Sequence, residues 1–87
     1  MPRISAFHGI VIWMYYEEGA HSLPHFHARY AGRTASFALD GEVLAGELPA
    51  RPTRLTREWA ALHQEELLAN WNKVRCGESV VPVPPLA

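Results

Sequence analysis

The sequence predicts an α+β domain, a small antiparallel sheet of three to four strands packed against one long C-terminal helix. Three observations carry this. A run rich in β-branched and aromatic side chains, "GIVIWMYY", sits near the start. Two alternating segments, "HFHARYA" and "TASFAL", flank a glycine. A stretch from "ELPARPTRL" to "NWNKVRCG" then repeats its apolar residues at helical spacing.

The first run, residues 9–16, reads as a strand. Ile10, Ile12 and Met14 fall on one face and Val11, Trp13 and Tyr15 on the other, so both faces are apolar and the strand is expected to be covered twice. The loop "EEGAHSLP" follows, with its two glutamates solvated. Strands at about 25–31 and 34–39 form the hairpin. Gly32-Arg33 as a two-residue type II′ turn sets its register. Phe26, Ala28 and Tyr30 then share an oily face with Ala35, Phe37 and Leu39. The other face carries His25, His27 and Arg29 with Ser36, Ala38 and Asp40, and His25 lies opposite Asp40. Asp40-Gly41 turns the chain into a short edge strand at about 42–45.

The helix is placed at about 52–75. Pro49 and Pro52 precede or open it, where a missing N–H does no harm, and Gly77 stops it. At 100° per residue Leu55, Trp59, Leu62, Leu67, Trp71 and Val74 form one stripe, with His63 and Asn70 inside it. The two tryptophans read as core rather than a base-stacking platform, and His63 as a packed, hydrogen-bonded core histidine. The tail, 78–87, is "ESVVPVPPLA"; its prolines exclude a helix, and it is expected to lie across the domain or a partner. The whole chain, 1–87, reads as a single domain near the lower size limit for a self-sufficient core.

Net charge is −1, from 8 basic and 9 acidic side chains, which argues against a nucleic-acid coat or an anionic-membrane binder but not against contact with RNA at one spot. The one cysteine, Cys76, can form no internal disulfide and reads as a bystander near a helix end. "MPRISAFHG" is not a charged leader before a long apolar run, and "GIVIWMYY" is too short to span a bilayer, so a cytoplasmic protein without membrane contact is expected. Walker, G-x-G-x-x-G, C-x-x-C and H-E-x-x-H patterns are absent from the sequence, so the corresponding nucleotide, redox and zincin readings lapse.

The chemistry concentrates in "PHFHAR". H-x-H on a strand sets two imidazoles on one face, roughly 7 Å apart by strand rise. Three readings follow. The residues are the solvated face of a hairpin. Alternatively His25 and His27 exchange protons with a substrate as acid and base while Arg29 holds a phosphate, with no cofactor. Or His25 and His27 ligate a divalent metal such as zinc, with His21 or Asp40 completing the set.

With these residues laid out, the chain resembles the family of small bacterial proteins called domain of unknown function 4160. The likeness runs through "MPRISAFHGIVIWMYY", "PHFHARY", "GEVLAGELPAR" and "REWAALHQEELLANW", nearly the full length. The resemblance implies a small protein encoded beside a second short protein, similar to a toxin–antitoxin pair. Some members are labelled transcriptional regulators. The favoured expectation is the effector half of such a module, an RNase that needs no metal, with a cognate antitoxin-like partner. The alternative is a non-catalytic binding or regulatory module that uses the histidine face for a metal or a protein. Because the first strand is apolar on both sides and one helix covers only one, association is also expected, favouring a symmetric dimer.

Overall fold

Five strands in the order of the chain make one antiparallel meander, β1 (Arg3–Phe7), β2 (Ile10–Trp13), β3 (His25–Tyr30), β4 (Arg33–Ala38) and β5 (Val43–Gly46), followed by α1 (Ala50–Leu62) and α2 (Gln64–Arg75). The structure, a computed structural model, describes residues 2–16 and 23–87. The α+β class is as expected, but β1 is an additional strand and the helix is two helices. β1 escaped the sequence reading because Arg3, Ser5 and Ala6 interrupt its apolar residues. It is joined to β2 through His8-Gly9, both at positive φ (49° and 78°), a pairing suited to a type I′ turn.

The expected helix breaks at His63, whose backbone (φ −124°, ψ 33°) leaves the helical region without glycine or proline. Its N–H reaches the Ala60 carbonyl at 3.2 Å, and the Gln64 side chain donates to that same carbonyl at 2.8 Å and to the Leu39 carbonyl. The bend takes Leu62 out of the predicted stripe, leaving it 69% exposed, while Leu55, Trp59, Leu67 and Trp71 stay buried.

The helices cover one face of the sheet. Ile10, Ile12, Met14, Phe26, Ala28, Ala35 and Phe37 point into this core. Trp59 packs at its centre, against Phe7 at 5.4 Å and edge-on to Phe26 at 5.5 Å. His63 is on this side, 5.7 Å from Trp59 and bonded to Glu66, so it belongs to the packing and not to the other histidines.

The tail lies across the domain. Asn70, 1% exposed within α2, donates Nδ2–H to the Val81 carbonyl and accepts the Val81 N–H, both at 2.8 Å. Val83 N–H then donates to Ile4 of β1 at 2.7 Å, and the Trp59 indole N–H donates to the Pro84 carbonyl at 2.9 Å. Asn70 sits inside an apolar stripe because its amide imitates a strand edge for the tail.

Candidate functional site

His27 and Arg29 stand on the uncovered face of the sheet, while His25, at the start of β3, packs its ring 5.2 Å from that of Trp71 of α2. His25 and His27 lie with ring centres 5.1 Å apart and steeply inclined, closer than backbone rise alone gives. His25 Nδ1 donates to the Leu23 carbonyl at 2.8 Å, which in the neutral ring leaves the lone pair on Nε2. His27 is held differently. Its ring stacks on Trp13 at 5.5 Å and on Tyr15 at 4.8 Å, its Nδ1 is 3.4 Å from the Ser36 hydroxyl, and its Nε2 is buried. Arg29, exposed, rests its guanidinium 5.9 Å from the Trp13 ring centre. Tyr15, His27, Trp13 and Arg29 therefore form one ladder, alternating between the β2 side and β3. Their ring faces are occupied by one another, so this face offers ring edges and the guanidinium outward rather than a flat stacking platform.

Two parts of the predicted site are corrected. The β3–β4 turn is Ala31-Gly32, with φ of 49° and 80°, rather than Gly32-Arg33. That is a type I′ geometry, and it shifts the register by two: His25 lies opposite Ala38 and His27 opposite Ser36. Each residue keeps its face because the shift is even. Asp40 is thereby moved off His25. Its Oδ1 accepts the Glu42 N–H at 3.0 Å, folding the side chain into its own turn, and the residue borders a groove with Thr53, Arg54 and Arg57 of α1. The third proposed ligand, His21, lies outside the described residues. Among the described residues no group of three His, Cys, Asp or Glu is placed to hold a metal.

Sequence reasoning missed Arg3. It lines a cleft of about 220 Å³ together with Val11, Trp13 and Arg29, on the same face as His27. Among the described residues neither guanidinium has a carboxylate within 4 Å; the ion pairs there are Arg54–Glu58 and His63–Glu66, both on the helices. The sequence signal for Arg3 was available only to a reader who had already found β1 and its irregular pairing.

No helix among the described residues is long and apolar enough to cross a membrane. No curated protein and no solved structure matches the chain. The model of one family, described as Domain of unknown function (DUF4160), matches residues 9–72, from the turn before β2 to within α2. That match spans well over half of the chain and includes the whole histidine ladder, and the chain accordingly belongs to this family.

Proposed function

We propose that the chain is the effector component of a bacterial, cytoplasmic toxin–antitoxin-like pair, and that it cleaves RNA by acid–base catalysis on its open sheet face. The observation that carries this reading is the pair of imidazoles 5.1 Å apart beside Arg29, on a face where, among the described residues, the arginines have no carboxylate partner. His25, with Nδ1–H committed to the Leu23 carbonyl, offers Nε2 to take the proton of a ribose 2′-hydroxyl. As the 2′-oxygen attacks phosphorus and the bond to the 5′-oxygen breaks, His27 supplies a proton to the leaving oxygen through the Ser36 hydroxyl beside its Nδ1, since its Nε2 is buried. Arg29 neutralises the phosphate. The cognate antitoxin-like protein would silence the effector by covering this face. Expression of the chain alone should arrest bacterial growth, and His25→Ala should relieve the arrest at equal protein level. Arrest that persists in His25→Ala moves the site elsewhere, and growth unaffected by the wild type removes the effector reading.

A second reading is favoured by one observation, the burial of His27 Nε2 and the stacking of that ring between Trp13 and Tyr15. A ring held this way can serve purely as scaffold. The chain would then be a non-catalytic binding or regulatory module, in which the same face meets a protein, a second copy of the chain, or a metal held by His25 and His27 with a further ligand. Cleavage of single-stranded RNA by the purified protein in excess chelator separates the two, since the first reading expects it and the second does not.

A further inference from the structure

The first strand carries an irregularity whose effect is to aim one side chain. Arg3 pairs with Trp13 and Ser5 with Ile12, two steps along β1 against one along β2, so Ile4 is an extra residue in the ladder. Ser5 and Phe7 point into the helix-covered core. Strict alternation would send Arg3 to that side as well. The bulge instead lets Ile4, 1% exposed, take the core position and turns Arg3 to the open face beside Trp13.

There Arg3 stands level with Trp13 and His27, and Arg29 stands two residues along, opposite Val11, so the two arginines lie diagonally across β2. The two strands flank β2 on either side, so their backbones are roughly 10 Å apart and the two long side chains reach toward a common centre. Val11 and Trp13 floor the cleft between them. Arg29 is steadied by the Trp13 ring at 5.9 Å, and among the described residues neither arginine is neutralised by a carboxylate. At about 220 Å³ the cleft is smaller than the ~300–1,000 Å³ pockets that enclose a drug-sized ligand, so it suits one group of a larger molecule. Two guanidinium forks over a low-polarity floor match the oxygens of a phosphate, which accept paired N–H donors.

We propose that Arg3 and Arg29 form a two-armed phosphate clamp over Trp13. Where the phosphate belongs to a nucleic-acid backbone, which rests on the function proposed above, the clamp holds the strand beside His25 and His27. A free phosphate ion has the same chemistry, and the test distinguishes the two sources.

The measurement is binding of a fluorescent single-stranded oligodeoxyuridylate, which lacks the 2′-hydroxyl that cleavage needs, by wild type, Arg3→Gln, Arg29→Gln and the double variant. Circular dichroism establishes that each is folded. Each phosphate no longer neutralised lowers the slope of log affinity against log salt by about 0.7, and both arginines hold the same phosphate, so the double variant should lose about 0.7. Between about 50 and 200 mM salt the wild type should then weaken roughly 2.6-fold more than the double variant. Arg3→Lys, which keeps the charge but not the fork, should retain the slope and bind less tightly. In parallel, inorganic phosphate is titrated while the Trp13 indole resonance is followed by NMR. Strand binding with an unchanged slope in the double variant overturns the clamp and leaves the nucleic-acid reading intact. A wild type that ignores the strand, but whose Trp13 resonance responds to phosphate only while both arginines are present, keeps the clamp as a free-anion site and removes the nucleic-acid reading. No response to either probe overturns both.

Discussion

Replacing Asn70 by alanine should loosen the tail along its whole length, because one side chain makes both of the hydrogen bonds that begin its docking. The amide is 1% exposed and spans Val81 with two bonds of 2.8 Å. Each such bond contributes about 1 kcal/mol net, so alanine costs about 2 kcal/mol directly. The Val81 backbone groups need not be stranded without partners, because Val81 is itself 54% exposed and water can replace the amide. Partial loss of contacts further along, where Val83 is 4% exposed and bonds to Ile4, raises the total to about 2–3 kcal/mol. For a domain of this size that is a fall in Tm of roughly 10–20 °C. The companion signal is hydrogen exchange at the Trp59 indole, whose N–H donates to Pro84 in the same tail and should exchange faster in the variant. Asn70→Asp is the informative control. It keeps an acceptor for the Val81 N–H but sets carboxylate oxygens against the Val81 carbonyl, so it should be at least as damaging as alanine. An alanine variant within about 0.5 kcal/mol of wild type, with unchanged Trp59 exchange, would refute the idea that Asn70 anchors the tail.

Gly46→Ala should release β5, since the residue has φ of +71° and an added Cβ would sit 2.4 Å from the Thr34 carbonyl oxygen; urea unfolding should show a loss of about 1–3 kcal/mol, and a neutral result would mean the edge pairing is looser than it looks. Zinc should bring no stoichiometric heat at micromolar concentration in calorimetry, because Asp40 is folded into its own turn away from His25; a tight site with a raised Tm would show that other residues complete the set. Light scattering at tens of micromolar should give a monomer, because the tail closes the core on the helix side and the ladder of Tyr15, His27, Trp13 and Arg29 packs the other face on itself. A dimer that Val11→Glu dissociates would instead mean that a second copy covers the open face.

The separation of His27 and Arg29 from Phe26 and Ala28 was legible from alternation alone; which residues touch, including His25 against Trp71, was not. Period two assigned His25, His27 and Arg29 to one side and Phe26, Ala28 and Tyr30 to the other, and any even register shift preserves that division. Neighbours depend on the register itself, and that turned on whether Ala31 could take a left-handed backbone. Alanine does so at a cost, so Gly32-Arg33 was the natural reading; the cross-strand pairs Phe26–Phe37 and Ala28–Ala35, which bury four apolar side chains, decide for Ala31-Gly32 instead. The break at His63 was hidden for a similar reason. Its cause is a side chain, Gln64, that finds carbonyl partners on both Ala60 and Leu39, and the second of these exists only once the sheet is folded. Arg3 was the least accessible of all, since a bulge reverses the alternation that sequence reading relies on.

The two readings of the open face diverge most sharply at His27, and the substitution that separates them is phenylalanine rather than alanine. The ring is stacked on both Trp13 and Tyr15, and aromatic pairs contribute about 0.5–1.5 kcal/mol each beyond the area they bury. Alanine removes both stacks and leaves a gap between two large rings, so His27→Ala should cost about 2–4 kcal/mol and disturb Arg29 through Trp13 whatever the function is. Loss of activity in that variant decides nothing. Phenylalanine keeps two stackable ring faces and removes the nitrogens. Its structural cost is set mainly by the ring shape, which phenylalanine conserves, with the 3.4 Å Ser36 contact given up. His27→Phe should therefore melt within about 1.5 kcal/mol of the wild type, the range of shape-conserving core exchanges. If His27 is the acid of an RNA-cleaving pair, the phenylalanine variant loses cleavage as completely as alanine does while still binding the strand. If the ring is scaffold, His27→Phe retains function and only His27→Ala loses it. Growth arrest and RNA cleavage measured on the two variants side by side, at matched folded concentration, assign the imidazole to chemistry or to packing.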